Sequence, residues 1–182
     1  SPMLKYPWKV TVVAPRGDSV ASNAPLRAMA ADEEGKNKWE FEPTPPLPSY
    51  LVAFVVGPFE TVGFVSEAES SLPITIWDAG ETTRATFTRN TAQIAVAAME
   101  DWTNIPFPFP KLDLVLVNDV EPWGAVENPG LILLQDSIFR AGEDFPAAGQ
   151  ADLENVVTHE IVHHWFGNLV GPADWRDVWL YE

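Results

Sequence analysis

His159-Glu160-Ile161-Val162-His163 places two imidazoles four residues apart, with a carboxylate directly after the first. On a helix, residues four apart share a face one turn from each other, so both rings can grip one ion. HExxH on a helix is the pattern that binds Zn²⁺ through its histidines, with the glutamate beside the metal as general base. Glu160 would then take a proton from water as it attacks a peptide carbonyl. All 3 histidines of the chain fall within 159–164, a clustering that argues against a chance match. His164 stands about 100° round an ideal helix from His163 and cannot share its ion. It reads as a packing or hydrogen-bonding histidine.

A catalytic zinc takes three protein ligands and keeps one position open. The 3 His are accounted for and there is no Cys, so the third ligand must be a carboxylate. Asp174, Asp177 and Glu182 all follow the motif, and spacing alone does not choose among them.

The elements that must hold these residues can be read from periodicity and punctuation. Asp152 is placed to cap a helix from Leu153 to about Phe166, with Gly167 as its stop signal. Leu153, Val157, Ile161 and Trp165 repeat every four residues and should face a core. A second helix is expected from Thr82 to about Asn104, carrying Phe87, Ile94, Met99 and Trp102 with alanines between, and ended by the prolines of IPFPFPK (105–111). ITIW (74–77), LDLVLV (112–117) and LILLQ (131–135) read as strands.

The first third reads as β throughout. WKVTVVAP (8–15) is a strand ending in the turn Pro15-Arg16-Gly17-Asp18, and DEEGKNK (32–38) is a hairpin loop with Gly35 at the position needing positive φ. KWEFE (38–42) alternates, PTPPLPS (43–49) is a rigid connector, and LPSYLVAFVVGPFETV (47–62) is a buried strand broken at Gly57-Pro58. Strands first and a helix–strand mixture later predict an α+β fold, with a boundary near residues 64–72.

Composition narrows the function classes. The 182 residues carry a net charge of −15, which disfavours nucleic acid and anionic membrane surfaces as partners. The apolar fraction of 46%, with 8 Trp and 10 Phe, is that of a globular chain. The longest apolar run, LVAFVV (51–56), is far short of the ~20 residues of a membrane-spanning segment. SPMLKYPW at the start lacks the charged and apolar regions of a signal peptide and reads equally well as a cut. A soluble protein is expected, with cytoplasmic and exported settings both open.

HEIVHHWFGNLV followed by WRDVWLYE resembles the zinc aminopeptidases of the aminopeptidase N type, gluzincins that also include the leukotriene-hydrolysing enzymes. Their signature is HExxH, 18 residues, then Glu; residues 164–181 supply that interval. The resemblance therefore implies Glu182 as the third ligand, beside His159 and His163, to one Zn²⁺ per site. Their second hallmark is a GAMEN-like pentapeptide, here Gly124-Ala125-Val126-Glu127-Asn128. It implies that Glu127 binds the free α-amino group of the substrate while the neighbouring backbone lies along it as a strand. A carboxylate–ammonium contact in a partly dry cleft is stronger than in water, and it measures distance from the amino terminus.

The fold implied is the later part of a saddle-like amino-terminal β domain at residues 1–65. The first part of a thermolysin-like α/β catalytic domain follows at 66–182. The chain departs from the family pattern at Val126 (usually Met), Pro129 (often Trp), His164 (often Gln) and Tyr181 (often Asn). The family's catalytic Tyr falls beyond Glu182, so the chain resembles an internal fragment. The function implied is a zinc metallo-aminopeptidase acting on peptides with a free amino terminus. Two alternatives stand beside it. A thermolysin-type endopeptidase would share His159, Glu160, His163 and Glu182 but have no use for Glu127, and the chain by itself could be an inactive structural module.

Overall fold

The computed structural model describes residues 2–32, 34–64, 72–78, 82–118, 120, 124–135 and 147–182. The chain opens with β1 (Thr11–Pro15), β2 (Ser19–Ser22), β3 (Leu26–Ala31) and β4 (Lys36–Phe41). β1, β4 and β3 form an antiparallel sheet in that order. The β3–β4 turn forms where expected, with Gly35 at φ 81 and the Asp32 carboxylate accepting from the amides of Glu34 and Lys36. Trp8 and Tyr6 lie outside β1. Their backbones instead exchange hydrogen bonds with Thr44 and Leu47 of the proline-rich connector, which cannot donate a continuous ladder.

After a 3₁₀ turn at Ser49–Leu51 come β5 (Phe54–Gly57) and β6 (Glu60–Phe64), divided at Gly57-Pro58. The single buried strand expected here is thus two strands. β5 joins β2 in an antiparallel ribbon, and Phe54 and Val56 on its outer face are exposed. β2 and β3 are not anticipated from sequence, because their short runs SVAS and LRAMAA lack the β-branched, alternating signature.

β7 (Ile74–Asp78), helix α1 (Thr82–Thr103), β8 (Leu112–Val117), the two-residue β9 (Ala125–Val126), β10 (Leu131–Gln135) and helix α2 (Ala147–Val162) complete the regular structure. A five-stranded sheet runs β6-β7-β8-β10-β9, with β7, β8 and β10 parallel and the outer strands antiparallel. β8 is buried along nearly all its length, as a central parallel strand covered on both faces should be. Ile76, Leu114, Ile132 and Leu134 point to one face, where they meet Ala92 and Val96 of α1 and Leu153, Val157 and Ile161 of α2. Val115 and Leu131 point to the other, against Ala21 of β2 and Val55 of β5. The result is a mixed α+β layering of helices, sheet and ribbon. Among the described residues no helix is long and apolar enough to cross a membrane.

Both helices differ in detail from expectation. α1 buries Ala85, Ala92 and Ala95, with Thr88, Val96 and Met99, while Ile94 and Trp102 are 70% and 72% exposed. Asn104, at φ 54, turns the chain out of the helix ahead of the prolines. α2 begins at Ala147, so Asp152 is an internal helical residue and not a cap. Its regular part stops at Val162. Beyond it the amides of His164 and Trp165 bond three residues back, and those of Asn168, Leu169 and Val170 bond five back. Gly167, at φ 118, makes the reversal there. The face Leu153, Val157, Ile161 and Trp165 is buried as expected, at 0–2% exposure.

Candidate metal and substrate site

His159 in the last turn of α2 and His163 just past its end lie on one side, with their Nε2 atoms 2.9 Å apart and their rings perpendicular. The buried Leu153-Val157-Ile161 stripe dictates this orientation, because it fixes which side of the helix is left facing the cleft. His163 Nδ1 lies 3.1 Å from the Phe166 carbonyl. A carbonyl can only accept, so Nδ1 carries the proton and Nε2 is left as a bare lone pair. His159 is held below the usual imidazole range by burial and by the neighbouring His163, against the opposing pull of Glu182 and Glu127. That shift favours the neutral ring, the form in which an imidazole ligates a metal.

Glu182 follows the 3₁₀ turn Trp175–Leu180 and brings its Oε2 to 3.7 Å from His163 Nε2 and 3.9 Å from His159 Nε2. Among the described residues, His159, His163 and Glu182 alone form a group able to hold a metal ion, with ligand atoms all within 4.8 Å. Ligands about 2.0–2.1 Å from a tetrahedral zinc sit roughly 3.3 Å apart, so the donor set fits one such ion with small adjustments. Asp174 is used otherwise. Its carboxylate caps the 3₁₀ turn by accepting from the Arg176 amide and guanidinium. Asp177 lies in the first turn of the same element and outside the group. Gly167 lets the chain pass close, since a Cβ there would lie 3.3 Å from the Tyr181 ring and 3.4 Å from His163 Nδ1.

Glu160 is 6% exposed, and its Oε2 has no hydrogen-bond partner. Burial, then the Glu127 and Glu182 carboxylates, pushes its carboxyl up to about 8. An unpartnered buried carboxylate beside a cluster of lone pairs is a second sign that a cation belongs here, since a cation would relieve both.

Across a cleft of about 540 Å³ from these groups stand Ala125, Val126 and Glu127, with Val178 and Glu182 also lining it. Gly124, at φ 76, receives the Gln135 amide on its carbonyl and turns the chain into β9. Among the described residues β9 is the outermost strand of the sheet, and an outermost strand can pair with an extended chain. The backbone after it is pinned. Asn168 Nδ2 donates to the Glu127 carbonyl at 2.8 Å, and the Asn23 side-chain amide donates to the Pro129 carbonyl at 2.9 Å. Gly124 and Asn128 are both buried and lie outside the cleft lining.

Several supporting residues carry no signal in the sequence. Lys111 and Asp113 form a buried ion pair at 2.7 Å, and Lys111 also donates to the Gly130 carbonyl. Burial lowers the Lys111 ammonium and raises Asp113, and their contact opposes both shifts. Lys5 reaches the carbonyls of Asn168 and Leu169, and Tyr50 packs on Trp175 with ring centroids 4.8 Å apart. Single polar residues of this kind have no characteristic spacing. Only Asn168, directly after the Gly167 stop, sits within a motif that could draw notice.

A mixed sheet backed by a helix with two histidines, and a carboxylate closing the cluster, make a group that could hold a metal ion next to the outermost strand among the described residues. Residues 87–182 match the peptidase family M1 domain, and the chain belongs to that family of metallopeptidases and aminopeptidases. It is 31% identical over 181 residues to a probable aminopeptidase 1 of Saccharolobus solfataricus, covering 100% of this chain and 23% of that protein. It is 34% identical over 190 residues to aminopeptidase N of Streptomyces lividans and 31% over 190 to that of Bos taurus. Both alignments cover 100% of this chain, and 21% and 19% of those proteins. The chain thus spans about a fifth of the length of these relatives.

Proposed function

We propose that the chain carries the zinc centre and the amine anchor of an aminopeptidase that removes residues from peptides with a free amino terminus. His159, His163 and Glu182 would hold the metal. When bound, zinc supplies Lewis-acid polarisation of the scissile carbonyl and acidifies the attacking water. Glu160, beside the ligands, accepts the proton of that water and returns it to the departing amine. Glu127 receives the substrate ammonium, and β9 (Ala125-Val126) aligns the peptide beside it. In this reading residues 1–65 are the later part of a saddle-like β domain and 66–182 the first part of a thermolysin-like catalytic domain.

One observation carries the reading: Glu127 lines the same cleft as His159, Glu160, His163 and Glu182. An endopeptidase would leave that carboxylate without a task. The test compares a free-amine aminoacyl substrate with its N-acetylated twin, using protein expressed from the full reading frame. Acetylation should lower kcat/KM by on the order of 100-fold or more, as expected when a charge-assisted hydrogen bond is removed from a low-dielectric site. Glu127→Gln should raise KM for the free-amine substrate. Equal hydrolysis of the two substrates would overturn the assignment in favour of an endopeptidase.

A further inference from the structure

We propose that His164 is a positioning residue that ties the amine-binding segment to the metal-bearing helix, setting the spacing between Glu127 and Glu160. The inference rests on the aminopeptidase reading above. Its geometry is separate from the ligand set.

His164 is fully buried, and its two ring nitrogens have partners on two different segments, the turn before β10 and the end of α2. Gly130 N–H donates to Nε2 at 3.1 Å, and Nδ1 lies 3.0 Å from the Glu160 carbonyl. The Gly130 amide can only donate, so Nε2 is the acceptor and Nδ1–H donates to Glu160. The ring is thereby committed to one tautomer and one orientation. Phe107 stacks on it at 4.9 Å between centroids, and Phe109 meets it edge-on at 5.5 Å. It therefore acts as a rigid strut rather than a tether.

The far end of the strut is equally fixed. Gly130 has φ +70, and a Cβ on it would come within 2.5 Å of the Asn23 carbonyl oxygen. Its carbonyl accepts from Lys111 Nζ at 2.7 Å and from the Asp113 amide at 3.0 Å. Gly130 lies three residues after Glu127, whose own carbonyl is held by Asn168 Nδ2. Asn168 is in turn held through its carbonyl by Lys5. The α2 end therefore grips the substrate segment on both sides of Asn128-Pro129, once through His164 and once through Asn168. An enzyme that measures from an amino terminus needs this distance constant, because a misplacement of about 1 Å costs on the order of 100-fold in rate.

The test uses His164→Phe, which keeps the ring and removes both hydrogen bonds, and His164→Gln, whose amide oxygen can still accept from Gly130. Both are made in the protein expressed from the full reading frame. Steady-state kinetics, zinc content and amide hydrogen exchange at Gly130 are measured for each. For His164→Phe we expect kcat on the free-amine substrate to fall about 10- to 100-fold with KM changed less than about threefold. Zinc should stay stoichiometric, and Gly130 exchange should accelerate at least about tenfold. His164→Gln should restore kcat and Gly130 protection to within about threefold of the parent.

A His164→Phe protein with unchanged kcat, or with unchanged Gly130 protection, would overturn the proposal. So would a kcat loss that follows loss of zinc. If His164→Phe shows no cooperative melt, the Gln variant decides, and a tenfold or greater loss in it overturns the strut. Failure of the aminopeptidase reading looks different, because the parent itself would then hydrolyse acetylated and free-amine substrates alike.

Discussion

Glu160 illustrates how one residue position is tuned by its surroundings. Its carboxylate sits beside two imidazole ligand candidates and faces Glu127 and Glu182, with its Oε2 unpartnered. Such a group is costly in isolation, and its burial makes sense as part of a cation site. If it is the proton acceptor, Glu160→Gln should lower kcat by about 10²–10⁴-fold, the usual contribution of a general base. Zinc content should be unchanged, because the amide leaves all three ligands in place. Loss of metal together with activity would instead assign Glu160 to holding the ion.

Among the elements, α2 meets β10 through apolar side chains, whereas the junction between the starts of β8 and β10 is electrostatic. Lys111, at the start of β8, bonds both Asp113 and the Gly130 carbonyl at the start of β10. Replacing Lys111 by Met leaves the Asp113 carboxylate buried and uncompensated, which should cost about 3–5 kcal/mol in a urea titration. The double replacement Lys111→Met with Asp113→Leu should cost less than Lys111→Met alone, since the orphan charge is then gone. α2 itself is held by packing. Ile161→Ala, at a fully buried position between the two ligand histidines, should destabilise by about 2–5 kcal/mol. Its effect on zinc affinity should be small if the helix end keeps its shape.

At the scale of the molecule, the β-rich first third does more than precede the five-stranded sheet. β6 pairs with β7, so one sheet takes strands from both sides of the boundary expected near 64–72. The β2–β5 ribbon covers the sheet face opposite the helices. Asn23 is the central link. Its side chain donates to Leu51 and Pro129 and accepts from the Ala53 amide, joining the β2–β3 turn to the β5 approach and to the segment between β9 and β10. Asn23→Leu should destabilise by about 2–5 kcal/mol, as several buried groups lose partners at once. It should also raise amide exchange at Ala53. Equal stability of parent and variant would mean that water replaces the amide there.

Much of this is legible from residue types and spacing. HExxH is a local pattern in which chemistry constrains spacing tightly, and the family resemblance adds the 18-residue interval to Glu182 and the GAVEN segment. The α2 core face and the central strands are legible too, because helix and strand periods repeat along the chain. Element ends are read less well. Asp152 looks like a cap because capping residues also occur inside helices, and β2 and β3 leave no trace because partner strands impose them. The sequence by itself determined the HExxH pattern and, through the family resemblance, named Glu182 and Glu127 as the candidates to join it. Only the tertiary structure decided that Glu182, and neither Asp174 nor Asp177, approaches the histidines, and that His164, Asn168, Asn23 and Lys111 brace the cleft. Those choices rest on contacts between residues up to 163 positions apart, and no local pattern encodes them.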